Sequence, residues 1–173
     1  MTDLFLKKVR VSDSNDAIRN SLRAALNRNK TYKEKTTSDQ RATFRSSWAM
    51  TIIATADSYN QPVSDQTHCD NIERVAVALT RNFKSILVGE RLRFGTSQKA
   101  FNLYLKFQWR LGIIPQPPHC PVDGVVLRSA HLSGYWTKSD SVAEYMDWIT
   151  ALRAITAQAT LAEWEYDLWN RKP

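Results

Sequence analysis

Apolar residues recur at intervals of three and four positions along most of this 173-residue chain. That spacing places them on one face of an α-helix, because a helix completes a turn about every 3.6 residues. Two adjacent strand patterns joined by a hairpin turn do not occur, so the sequence predicts an all-α protein. The clearest helical pattern lies in residues 70–87, at Ile72, Val75, Ala76, Leu79, Phe83, Ile86 and Leu87.

The same pattern predicts a compact domain of about six to eight helices. Four of the six prolines fall within residues 113–121, which cannot be regular structure. We expect a single domain over residues 1–173, in which residues 1–40 form a basic, partly helical N-terminal segment. Further helices are predicted over residues 14–26, 39–53, 96–111, 123–133 and 140–169, the last with a break near Thr160.

The net charge of +7 is concentrated in two parts of the chain. Residues 1–45 contain eleven Lys and Arg against five Asp and Glu, and residues 81–110 contain seven against one. A basic surface of this kind is typical of a protein that binds a polyanion, and nucleic acid is the first candidate. A solvated basic face without a ligand explains the charge about equally well.

The sequence lacks the features of membrane and secreted proteins. No apolar run reaches the roughly 18 to 20 residues that span a bilayer. The first charges, Lys7 and Lys8, follow a short apolar patch instead of preceding a signal core. Cys69 and Cys120 are too few for a disulfide scaffold, and the close ligand spacing of a zinc site is missing. We therefore expect a cytoplasmic protein without a membrane partner, metal or cofactor.

One stretch combines a turn, a helix start and a lysine. It reads Gly95-Thr96-Ser97-Gln98-Lys99-Ala100-Phe101-Asn102, followed by three apolar or aromatic residues. Further on, Pro121-Val122-Asp123 precedes another predicted helix, and Arg128 follows five residues after the aspartate. The order and spacing of this glycine, lysine, asparagine, aspartate and arginine resemble the helix-hairpin-helix DNA glycosylases. The matched region covers roughly residues 91–130.

The chain departs from the pattern of that family at three points, so it resembles a divergent member. Ser97 stands where the hairpin usually carries a second glycine, and Gly124-Val125 stands where Thr-His or a similar pair commonly follows the aspartate. With two cysteines, the chain cannot form the family's four-cysteine iron–sulfur site. The resemblance therefore implies a compact member, similar to endonuclease III and 8-oxoguanine glycosylase, without the cluster.

The resemblance assigns catalysis to Asp123 and Lys99. A carboxylate at Asp123 would stabilise the positive charge that develops on the deoxyribose, or would activate the attacking group. Lys99 would attack C1′ as a neutral amine and form a Schiff base, and burial favours that neutral form. The DNA contacts implied at the hairpin and beyond are Phe94, Gly95, Thr96, Ser97, Gln98, Asn102 and Arg128. His119 and Trp109 are candidates for the base pocket.

The sequence thus predicts a DNA glycosylase that extrudes a damaged or modified base from double-stranded DNA and cleaves its N-glycosidic bond. A hypermodified base of phage DNA, removed in defence, is one candidate substrate. The alternatives are a non-catalytic helix-hairpin-helix module that binds DNA, and a helical adaptor for an acidic protein. Taken singly, Asp123 is explained as a helix cap and Lys99 as a surface lysine. No obligate protein partner is evident.

Overall fold

The computed structural model describes residues 3–156 and 158–170, which fold into helices joined by segments without regular β-structure. Apart from one isolated bridge between Tyr32 and Leu87, these residues contain no β-structure. The predicted all-α class is confirmed, with a helix number at the top of the expected range. The helices are α1 (Leu4–Val9), α2 (Ser14–Leu26), α3 (Ser38–Ala56), α4 (Asp65–Phe83), α5 (Phe94–Arg110), α6 (Gly124–Ser129), α7 (Val142–Thr156) and α8 (Leu161–Asn170).

Helix α5 is the central element of the fold. Every residue from Phe94 to Gln108 is buried, and helices α2 and α4 pack against it. A helix that is buried on all sides is usually apolar all round. Here the buried face includes Gln98, Lys99, Asn102 and Lys106, and each of these polar groups costs free energy unless it finds a partner. The residues that pair with these four side chains therefore pack around α5 in the interior.

The N-terminus of α5 is held by the segment that precedes α7. The amide of Phe94 donates to Asp140 Oδ1 at 3.1 Å, and the amide of Gly95 donates to the Ser139 carbonyl at 3.0 Å. A Cβ atom placed on Gly95 would lie 1.8 Å from the carbonyl oxygen of Trp136. Gly95 is therefore required because two backbones approach closely, and residues 94–98 form the first turns of a buried helix instead of a hairpin loop.

Both ends of α4 differ from the sequence prediction, and α6 ends at Ser129, four residues before the predicted end. Helix α4 begins at Asp65, where Ser64 accepts a hydrogen bond from the Thr67 amide as the cap. It ends at Phe83, before Ile86 and Leu87, although these two residues are buried as their spacing suggested. The chain there runs beside the 31–33 segment, because the Lys33 amide donates to the Ile86 carbonyl. Tertiary pairing thus ends the helix before its apolar pattern does.

The ends of the described region contain one helix that the pattern missed and one break that it predicted. Helix α1 begins after Asp3, whose Oδ1 accepts from the amides of Phe5 and Leu6. The last long helical pattern is divided into α7 and α8 near Thr160, as expected.

No helix among the residues described is long and apolar enough to cross a membrane. Nor do those residues group three or more His, Cys, Asp or Glu around a metal position.

Candidate functional site

The structure brings Lys99 and Asp123 into direct contact. Lys99 lies on the second turn of α5, and Asp123 is the N-cap residue of α6. Lys99 Nζ donates to Asp123 Oδ2 at 2.6 Å, and the two side chains are 7% and 12% exposed. Oδ1 of the same carboxylate accepts from the amides of Val125 and Val126 at 2.8 and 3.0 Å. The aspartate therefore caps a helix with one oxygen and pairs with the lysine through the other.

Asp123 is held in its ionised form. Burial opposes ionisation of this carboxyl group. The charge and hydrogen bond of Lys99, together with the amides of Val126 and Val125, outweigh that effect and lower the pKa of Asp123 below its usual value. A negative charge is thus maintained at a nearly buried position.

Gln98 and Asn102 position the loop that carries Asp123. Gln98 Nε2 donates to the Val122 carbonyl at 2.6 Å, and its Oε1 accepts from the Val122 amide at 3.2 Å. Asn102 Nδ2 donates to the Cys120 carbonyl at 3.2 Å. Both side chains are fully buried. They attach the proline-rich loop to α5, and neither is available to contact DNA directly.

Lys99 and Asp123 line a cavity of about 700 Å³ between α1, α2, α5, α6 and α8. Apolar side chains form part of its wall, including Phe5, Leu103, Phe107, Val125 and Trp136. Five basic residues that are exposed to solvent mark its open side, and we call them the cationic rim. The rim consists of Lys8, Arg10, Arg23, Arg28 and Arg128.

The charges around the cavity are arranged in two zones. Of the described residues that line it, the carboxylates are Asp123 and Glu165, and each lies beside a lysine. Among the same described lining residues, every charge that is exposed at the open side is positive. Four of the five rim residues come from the basic N-terminal segment, which therefore lies next to the paired lysine and aspartate. Such a rim attracts a polyanion.

Most other residues that the resemblance assigned to DNA are buried around α5. Ser97 donates to the Ile72 carbonyl at 3.1 Å, Thr96 accepts a hydrogen bond from Asn29, and Phe94 packs against Tyr145. The amides of Phe94 and Gly95 already donate within the protein, and Gly95 lies against Trp136, so these two amides are not available to a phosphate. Arg128, in contrast, is exposed at the rim.

His119 and Trp109 do not line the cavity. Trp109 is half-buried against Tyr166 on another side of α5, with ring centroids 6.1 Å apart. His119 is fully buried, and its Nδ1 lies 2.8 Å from the Tyr145 hydroxyl. Its Nε2 lies 3.1 Å from Asp65 Oδ1. The proposed pocket role of these two residues therefore finds no support in their positions.

The unfolding free energy is expected to decrease as the pH falls from about 6.5 towards 4. Burial lowers the pKa of His119 to about 4, despite the neighbouring Asp65 carboxylate, and the pKa of His68 is also well below its usual value. In this window the unfolded chain binds protons that the folded chain does not, so protonation favours unfolding. His119 alone contributes up to about 3 kcal/mol. Urea unfolding between pH 7 and pH 4.5 measures the slope.

Variants identify the histidine responsible for that slope. His119→Gln should reduce the pH dependence, while His131→Asn, at an exposed histidine, should leave it unchanged. The other groups near His119 are Asp65, Arg153, Tyr145 and His68. The carboxylate of Asp65 titrates below this window, because the Arg153 hydrogen bond lowers its pKa. An unchanged slope in His119→Gln would contradict the assignment.

Lys106 and Glu165 are site residues that the sequence interpretation missed. They form a second ion pair in the cavity, with Nζ and Oε2 2.6 Å apart. The available signal was that Lys106 follows Lys99 by seven positions, which places both lysines on one face of α5. Glu165 had no comparable signal, because α8 is far away in the chain.

No protein-family model, curated protein or solved structure matches this chain. What the protein does must therefore be inferred from the chemistry of the cavity. Its defining features are a nearly buried ammonium–carboxylate pair, an apolar wall, a second ion pair and a cationic rim.

Proposed function

We propose that the protein is a DNA glycosylase that extrudes a damaged or modified base and cleaves its N-glycosidic bond. The observation that carries the proposal is the 2.6 Å contact between Lys99 Nζ and Asp123 Oδ2 within a cavity that has a cationic rim. Cleavage of this bond develops positive charge on the deoxyribose. A fixed and nearly buried carboxylate such as Asp123 stabilises that charge strongly.

The pair supports a covalent route to base release. Lys99 transfers a proton to Asp123 and its neutral amine attacks C1′, while the C1′–N bond breaks and the base leaves with the bonding electrons. Asp123 then returns the proton to the departing base. Transfer of an amine proton to O4′ opens the sugar ring and leaves a Schiff base on Lys99. In the alternative route, water attacks C1′ and Asp123 accepts its proton.

The cationic rim supports DNA as the substrate. An extruded nucleotide must enter the cavity while the flanking strand stays outside, so the phosphates on either side need cationic partners at the opening. Basic side chains at such positions fix the register of the strand without reading its sequence. The apolar wall suits the faces of a base. The resemblance to helix-hairpin-helix glycosylases points in the same direction, and a hypermodified phage base remains a candidate substrate.

The direct test is to incubate the protein with DNAs that carry different base modifications and to count abasic sites. The proposal expects abasic sites in at least one modified DNA and few in unmodified DNA. Release of the free base, detected by mass spectrometry, separates glycosidic cleavage from strand scission. If the protein binds these DNAs but releases no base from any of them, it is a non-catalytic DNA-binding module and the proposal fails.

Neutralising the rim should weaken DNA binding in a salt-dependent manner. Arg23→Gln/Arg28→Gln removes two exposed cations that line the cavity. The slope of log Kd against log salt should fall by about 2, because each phosphate contact contributes about 0.9 to that slope. Titrations at several salt concentrations measure it.

A matched variant shows whether the change in salt dependence comes from the position of the two cations or from the loss of total charge. Arg81→Gln/Lys84→Gln removes two exposed cations that do not line the cavity. Its salt slope should stay close to that of the parent. Equal slopes in the two double variants would show that the rim is not where DNA binds.

Borohydride should trap Lys99 on DNA during base release. Reduction of the Schiff base forms a stable covalent adduct, which migrates as a shifted band and maps to Lys99 by peptide sequencing. Lys99→Gln should give no adduct, whereas Lys84→Gln, at an exposed lysine outside the cavity, should give as much as the parent. Base release by the parent without an adduct would leave Lys99 as a positioning residue for attack by water.

A further inference from the structure

Lys106 and Glu165 form an ion pair with unused hydrogen-bonding capacity. Their side chains are 2% and 1% exposed, and Nζ lies 2.6 Å from Oε2. In the described part of the chain, neither Nζ nor Oε2 has a hydrogen-bond partner beyond this short contact. The ammonium also lies 4.1 Å from the centroid of the Phe5 ring. Because an ammonium has three donors, some of its capacity is left for another partner.

Stability alone does not require a pair of this kind. Burial lowers the pKa of Lys106, partly offset by Glu165, which shows that the surroundings disfavour the charge. Apolar residues of similar volume often replace a buried ion pair without loss of stability. Buried polar atoms in native proteins are nearly always hydrogen-bonded. A ligand in the cavity would supply the missing bonds.

The pair lies at a suitable distance from the reacting end of the cavity. Lys106 follows Lys99 by two helical turns, which is about 10 Å along the axis of α5. Leu103 and Phe107 line the cavity on the same helix. A nucleotide whose C1′ lies against Lys99 and Asp123 can therefore direct its base along α5, so that the far side of the base meets Lys106 and Glu165.

We propose that Lys106 and Glu165 determine the specificity of the glycosylase by binding a polar substituent of the extruded base. The inference rests on the proposed function. An ammonium donates and a carboxylate accepts, so the pair is complementary to a substituent that does both, such as a hydroxyl group. The cavity volume of about 700 Å³ is typical of sites for drug-sized ligands and exceeds the needs of an unsubstituted base.

Matched DNA probes test this assignment. We would measure base release from duplexes containing 5-hydroxymethyluracil or thymine, and 5-hydroxymethylcytosine or 5-methylcytosine, at one position. The members of each pair differ by one hydroxyl oxygen. The parent should release at least one hydroxymethyl base at least about tenfold faster than its methyl partner, because a site built to bind a hydroxyl group rejects an analogue without it.

Removing both charges should abolish that preference. Lys106→Met/Glu165→Met leaves no unpaired buried charge, so it is the variant most suited to remain folded. Its rates for the hydroxymethyl and methyl bases should become equal within about twofold. Glu165→Gln provides a second, nearly isosteric variant and should reduce the same ratio. Binding to a duplex with a tetrahydrofuran abasic analogue should not change in either variant, because that duplex has no base to contact the pair.

The outcomes separate this inference from the proposed function. Base release without a hydroxymethyl preference in the parent would overturn the role of the pair and leave the glycosylase intact. A preference that survives in folded Lys106→Met/Glu165→Met or Glu165→Gln would do the same. If the parent releases no base from these duplexes or from any other modified DNA, the proposed function fails, and the inference fails with it.

Discussion

Asp123→Asn is expected to slow base release by about 10² to 10⁴-fold while leaving DNA affinity nearly unchanged. Asparagine keeps the shape of the side chain and is an equally good N-cap, so the bonds from the Val125 and Val126 amides are preserved. The negative charge beside Lys99 is lost. Single-turnover formation of abasic sites measures the rate, and titration of labelled DNA measures the affinity.

A second aspartate provides the matched control for this substitution. Asp140 caps the start of α5 through the Phe94 amide and does not line the cavity. Asp140→Asn should therefore release base at the rate of the parent. Thermal unfolding of both variants confirms that rates are compared between folded proteins. If Asp123→Asn releases base as fast as the parent, Asp123 has no catalytic role and the proposed mechanism is wrong.

Gly95→Ala is expected to lower the unfolding free energy by about 3 kcal/mol. The added methyl group would lie 1.8 Å from the Trp136 carbonyl oxygen and 3.1 Å from that of Ser139. These are backbone atoms, so relief requires α5 and the 136–139 segment to move apart. That movement would stretch the bond from the Gly95 amide to the Ser139 carbonyl. Denaturant unfolding at neutral pH measures the change.

Gly124→Ala is the appropriate comparison, since it places the same methyl group at the start of another helix. There the nearest atom outside the neighbouring backbone is Arg128 Nη1, at 3.0 Å, and this flexible guanidinium can shift. Its effect on stability should stay within about 1 kcal/mol. Equal stability of the two variants would mean that the contact between α5 and the 136–139 segment is not tight.

The helical class could be predicted from local pattern, and the family resemblance singled out Lys99 and Asp123. Apolar spacing reports which face of a helix is buried, because that periodicity depends on neighbours a few residues away. It predicted the central helix from about residue 96 and the break near Thr160. The resemblance implies one shared site for Lys99 and Asp123, and the structure places Lys99 Nζ 2.6 Å from Asp123 Oδ2.

The roles of the residues around that pair could not be predicted in the same way. The local pattern predicts a turn at Gly95, and the resemblance implies that Gly95, Gln98 and Asn102 contact DNA. In the structure the glycine admits a neighbouring backbone, and the two amide side chains hold the loop before Asp123. A local pattern identifies a polar residue on a helix. It does not show whether the segment facing that residue is solvent, DNA or another part of the chain.

The sequence by itself determined an all-α chain, two basic blocks, and a lysine and an aspartate at the starts of helices. Only the tertiary structure decided that the N-terminal block supplies most of the cationic rim of the cavity and that Glu165 pairs with Lys106 inside it. The physical reason is that helix periodicity arises from interactions along a few turns. A cavity, in contrast, is formed by side chains from helices that are distant in the chain, and their mutual positions depend on the packing of the whole core.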